Sequence, residues 1–127
     1  MVEVVEGGPQ GRALIEGYGG GGFVVGGTRH SGSILILPDR VQPWPVDSAP
    51  EIDEAALQPV LGAATGLEIL LIGGGERSFA LPPPGLRQVL RDHGLGVEAM
   101  ATAAACRSFN VLVMEGRAAA AALVAVD

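Results

Sequence analysis

The chain has 127 residues, 48% of them apolar and 17% charged, which is enough for one domain with its own core and too few for two ordinary ones. That balance excludes a solvated disordered chain, while 20 glycines and 9 prolines promise many turns. The formal charge is −6 with no basic cluster, which argues against binding a DNA or RNA backbone.

The opening MVEVVEGGPQGR is acidic and short of apolar length, unlike a signal or transit peptide. Residues 1–11 read as a flexible end before a single domain over 12–127. Arg12 to Tyr18 alternates, with Leu14, Glu16 and Tyr18 on one face, as a strand does. The run Gly19 to Gly22 leads into Phe23-Val24-Val25 and a second turn at Gly26-Gly27, a hairpin with a loose glycine tip. Ser33 to Leu37 (SILIL) reads as a buried central strand closing at Pro38-Asp39. The prolines around Trp44 confine Val41 to Val46 to an edge or an extended loop. Residues 51–61 suggest a short acidic helix weakened at its far end by Pro59. Leu67 to Ile72 is a second buried strand stopping at Gly73-Gly74-Gly75, followed by a loop over residues 76–83. A helix then runs from Pro83 or Pro84 to about His93 and ends at Gly94. Leu95 to Met100 is a strand, Thr102 caps a helix from Ala103 to Glu115, and Arg117 to Val126 is a last, alanine-rich strand. The second half therefore alternates strand and helix, the pattern of a parallel sheet, after a first half of strands and turns. The class is α/β. The longest apolar runs, Ala118 to Val126 and Leu67 to Ile72, fall well short of the ~20 residues that span a bilayer. No membrane insertion is expected, and the compartment expected is the cytoplasm.

Chemistry-bearing residues are sparse. All eight basic residues are arginine, so a Walker lysine, a Schiff base and a catalytic lysine are all excluded. The single cysteine, Cys106, excludes an internal disulfide and a thiolate-rich metal site. His30 and His93 form neither an HxxxH nor an HxH pair, so no metal site is expected. Four places carry residues suited to chemistry or contact. The loop Gly73-Gly74-Gly75 with Arg77 ends a buried strand, where α/β folds place ligands, and bare amides there suit an anion. The opposing reading is a tight turn. On the Thr102–Glu115 helix, Cys106 and Asn110 share a face and Arg107 projects to one side. Cys106 reads as structural, and Arg107 as the partner of an acid such as Glu115 or Glu98. Asp39 reads as a turn residue. Trp44, stiffened by Pro43 and Pro45, is either a lid on the core or the contact for a partner.

The stretches GSILILPDRVQPW, EILLIGGG and LRDHGLGVEAMATAAACRSFNVLVMEGRAAAAALV resemble the Mth-like-domain family. That family includes the adipogenesis-associated Mth-like-domain protein, a mitochondrial respiratory complex I assembly factor and short bacterial and archaeal homologues. The resemblance runs from Ser33 to Asp127 and implies a three-layer β/β/α domain whose mixed central sheet is partly parallel. It implies no firm enzymatic activity and no cofactor; the mitochondrial members act by binding other proteins. The family often carries Gly-Thr-Gly where this chain has Gly73-Gly74-Gly75, and Thr-Tyr in place of Ser108-Phe109. The expected function is a non-catalytic interaction module that assists assembly of a membrane or respiratory complex. The alternative is a small-anion or metabolite binder, with enzymatic potential, that uses Gly73 to Gly75, Arg77, Arg107 and Asn110. Homo-oligomerisation is left open.

Overall fold

A computed structural model describes residues 8–77 and 81–127. The flexible end expected over residues 1–11 lies largely outside them. Within the described part, Pro9–Gly11 forms one 3-10 turn, and the Gly8 amide donates to the Arg12 carbonyl at 2.6 Å.

Three short strands follow: β1 (Ile15–Gly19), β2 (Gly22–Val25) and β3 (Thr28–Ser31), a meander in the order β1-β2-β3. Its two turns are glycine pairs, Gly20-Gly21 (φ +61° and +79°) and Gly26-Gly27 (φ +57° and +83°). Left-handed residues at both central positions are what a two-residue type I′ hairpin requires. The glycine run is thus a tight tip and not the loose one expected. Arg29 closes it by donating from Nη2 to the carbonyls of Gly19 and Gly20. The strand β3 escapes a hydrophobicity reading because it is a polar, mostly exposed edge.

The main sheet contains β4 (Ile34–Leu37), β5 (Arg40–Pro43), β6 (Ile69–Gly73), β7 (Gly96–Met100) and β8 (Ala119–Leu123), in the order β5-β4-β8-β6-β7. β4 pairs antiparallel with β5 and β8, while β6 runs parallel to both β8 and β7. The alternating second half therefore does build the parallel part, and the SILIL strand lies inside the sheet. The expected acidic helix over 51–61 does not form as one piece. It breaks into 3-10 turns at Ala49–Glu51 and Ala55–Leu57 before a one-turn helix α1 (Gln58–Gly62). Two local effects break it: the Asp53 carboxylate takes the Ala56 amide at 2.8 Å, and Pro59 sits in the first turn of α1. Proline lacks the amide that a continuing helix needs but suits a helix start.

Helix α2 (Pro84–Asp92) and helix α3 (Thr102–Met114) make the two parallel crossovers. One core, under α1 and α2, joins Leu35, Trp44, Leu57, Leu70, Ile72 and Leu90. The other, under α3 and the small sheet, joins Phe23, Ile36, Leu71, Cys106, Phe109 and Leu123. The architecture is thus layered about a mixed, partly parallel sheet, with α3 sharing its layer with β1–β3. All five residues of β8 are buried. Its alanines face both cores alternately, and their single methyl groups let both outer layers approach the sheet closely.

Candidate functional site

The glycine loop lies where the sequence places it, at the carboxyl end of β6, but its amides are already engaged. The Gly74 amide donates to the Met100 carbonyl (3.0 Å) and the Gly75 amide to Thr102 Oγ1 (3.0 Å). The Gly73 carbonyl accepts from Val124 (2.8 Å), and the Gly75 carbonyl accepts from the Thr102 amide (2.8 Å). Thr102 Oγ1 in turn donates to the Val124 carbonyl at 2.7 Å. This completely buried hydroxyl therefore ties three chain segments together: the glycine loop, the start of α3 and the chain after β8. It makes no side-chain capping bond; the N-cap of α3 is Ala101, which corrects the expectation that Thr102 caps the helix. Gly73 is needed for close approach, not for a positive φ. A Cβ there would lie 2.9 Å from Thr102 Cα and 3.0 Å from Leu123 Cδ2. Gly73→Val should therefore cost roughly 3 kcal/mol or more through overpacking, read as a lower urea midpoint; an unchanged midpoint would contradict this packing. Arg77 is exposed beyond the loop.

The three α3 residues separate by environment. Cys106 is buried, and loss of hydration pushes its thiol up to about 12, against a small opposing pull from Arg107. At neutral pH it is a packed thiol. Native protein should react with iodoacetamide far more slowly than urea-unfolded protein, and equal rates would show an open thiol. The raised pKa also has a sign: the unfolded thiol ionises from about pH 9 and the folded one only near 12. Stability should thus fall as pH rises through that window. Asn110 is a clamp: its Oδ1 accepts from the Ile15 amide and its Nδ2 donates to the Ile15 carbonyl, both at 2.8 Å. One side-chain amide thereby docks β1 against α3. Arg107 is exposed and forms no ion pair with Glu115 or Glu98 among the described residues. The surface ion pair is instead Arg117 with Glu68 at 2.8 Å. A hydrogen bond from Arg117 holds the Glu68 carboxyl below its ordinary range.

Trp44 resolves to the lid. It is 4% exposed, and its Nε1–H donates to the Ala56 carbonyl at 2.8 Å. The expected partner contact is thereby corrected, because an indole sealed by the 3-10 segment cannot meet another protein. Asp39 occupies the two-residue turn between β4 and β5 and pairs with Arg40 at 3.1 Å. Arg12 has a role that no local pattern announces. Its Nη2 donates to the Ala119 carbonyl at 2.7 Å, and its guanidinium lies 5.8 Å from the Phe109 ring centroid. Burial lowers its pKa. Among the described residues no three of His, Cys, Asp and Glu converge as a metal site would require, and no helix is long and apolar enough to cross a membrane.

The arrangement is similar to several known proteins. Over 110 residues the chain is 38% identical to the Bos taurus NADH dehydrogenase (ubiquinone) 1 alpha subcomplex assembly factor 3, covering 87% of this chain and 59% of that one. The chain thus spans about three fifths of the length of that relative. A crystal structure of an outer membrane protein from Bartonella henselae matches 98% of this chain and 100% of its own, with TM-score 0.85 and 35% identity. A solution structure of a Bordetella pertussis protein described as a Mth938-like domain covers 97% of this chain and 92% of that one, with TM-score 0.80 and 29% identity. Together with the family match spanning residues 15–124, this places the chain in the family described as protein of unknown function (DUF498/DUF598), to which it belongs.

Proposed function

We propose that this chain is a non-catalytic protein-interaction module that assists assembly of a respiratory NADH dehydrogenase or a related membrane complex, acting from the cytoplasm. The observation that carries the reading is the 38% identity over 110 residues to an NADH dehydrogenase assembly factor. The site geometry supports it from the other side. The Gly74 and Gly75 amides spend their donors inside the protein, Asn110 is occupied with Ile15, and Cys106 is protonated and buried. Chemistry at these positions would require groups that the fold already uses. In a phosphate titration followed by NMR, the Gly74 and Gly75 amide signals should therefore stay in place; saturable shifts would restore the anion-binding alternative.

The functional test is carried out in the cell that encodes the chain. NADH dehydrogenase subunits should co-purify with the tagged protein, and deletion should leave a partially assembled complex on native gels with reduced NADH oxidation by membranes. A deletion strain with a full complement of the mature complex, and no subunit captured, would overturn the proposal.

A further inference from the structure

The strand β7 ends the main sheet: it has β6 on one side and, among the described residues, no strand on the other. Two bonds give the direction of its backbone groups. The Gly96 amide donates to the Glu68 carbonyl, and the Met100 carbonyl accepts from the Gly74 amide, both at 3.0 Å. Backbone groups alternate along a strand, so Gly96, Glu98 and Met100 bond toward β6. Val97 and Ala99 then turn both their amides and their carbonyls to the open side. Their side chains pack on the core under α2, which leaves Glu98 exposed on the opposite face.

Along this edge lies a groove of about 250 Å³ lined by Leu81, Arg87, Arg91, Leu95, Gly96 and Val97. Arg87 and Arg91 are one helical turn apart on α2. The Arg87 Nε atom is buried and, among the described residues, has no hydrogen-bond partner. Neither Arg87 nor Arg91 forms an ion pair among the described residues, and a carboxylate is the acceptor that best suits a guanidinium. Leu81 stands 57% exposed beside it. The groove thus combines open strand hydrogen bonds, positive charge and an apolar flank in a chain that is acidic overall.

We propose that the β7 edge docks an extended acidic segment of a partner protein. The segment adds as a further strand of the main sheet and sets carboxylates from alternate residues against Arg87 and Arg91. Its remaining side chains would face Glu98 and must be uncharged or basic. The open edge also decides against a second copy of this chain. Antiparallel pairing of β7 with itself, in the register that uses all four open groups, would set Glu98 opposite Glu98. Like charges directly across a strand pair are unfavourable, and edge charges are a recognised guard against self-association. This inference deepens the interaction-module reading and rests on it.

The test uses the whole isotope-labelled chain and a short capped peptide of alternating valine and glutamate, with a valine–lysine peptide as control. The acidic peptide should shift the Val97 and Ala99 amide signals saturably, and the basic one should not. Arg87→Gln combined with Arg91→Gln should weaken binding about tenfold or more. Ala99→Pro deletes an outward amide without touching the bonds to β6, a change that edge strands tolerate, and it should abolish binding. If that variant does not fold, the arginine pair decides alone. Absent shifts with the acidic peptide, equal shifts with the basic one, or a concentration-dependent dimer whose interface is β7 would each overturn the proposal. Failure here while NADH dehydrogenase subunits still co-purify would remove this docking site and leave the assembly reading standing.

Discussion

Trp44→Ala should cost about 3–5 kcal/mol, enough to bring a domain of ordinary stability close to unfolding, since the whole margin is about 5–15 kcal/mol. Three losses combine. The indole is 4% exposed and belongs to the core under α1 and α2, so truncation leaves a cavity there. The Ala56 carbonyl loses its donor at 2.8 Å. The 3-10 segment at Ala55–Leu57, which hangs on that bond and on the buried Leu57, loses its anchor. The measurement is urea unfolding, together with wild-type indole emission, which should be blue-shifted in a dry site. Trp44→Phe restores most of the volume without the N–H donor and should cost markedly less than alanine. A Trp44→Ala variant that melts with the wild type would refute the lid.

Thr102→Val is the second large expectation. The replacement keeps the shape of the side chain and removes only the hydroxyl, which accepts from the Gly75 amide and donates to the Val124 carbonyl. Both partners lose their bond, the Val124 carbonyl in a buried place and the Gly75 amide in a half-buried one, at about 1–3 kcal/mol each, so the sum should be roughly 2–6 kcal/mol. Thr102→Ser keeps both bonds, and its loss should be confined to one buried methyl, about 1 kcal/mol. Amide exchange separates the two causes: in Thr102→Val the Gly75 amide should exchange much faster, while in Thr102→Ser it should stay protected. Equal destabilisation by valine and serine would mean that packing, and not the hydroxyl, holds the loop.

Both expectations bear on the proposed function indirectly. Each acts on the frame that presents the surface, so partner binding should survive wherever the variant remains folded. Changes at Arg87 and Arg91 should do the opposite, altering binding while leaving the melting temperature nearly unchanged.

Much of the architecture was legible in the chain because it depends on local regularities. Short continuous apolar runs mark SILIL and LEILLI, an apolar stripe marks α2, and the alternation of strands and helices implies that β6, β7 and β8 run parallel. Paired glycines signal hairpins because only they adopt two successive left-handed conformations cheaply. The absence of lysine and the single cysteine exclude whole classes of chemistry whatever the fold. The tertiary structure decided which distant groups meet. Trp44 is equally apolar as a lid or as an anchor, and only the arrival of Ala56 over it settles which. Thr102 has the composition of a helix cap, yet its hydroxyl turns to Val124, 22 residues away. Asn110 reads as a candidate ligand contact until Ile15, 95 residues away, takes both ends of its amide. Likewise, the glycine loop reads as either an anion site or a tight turn until Met100 and Thr102 take the amides of Gly74 and Gly75. In each case the side chain's chemistry is local, but its partner is supplied by packing between segments far apart in the chain, and no periodicity or propensity encodes that meeting.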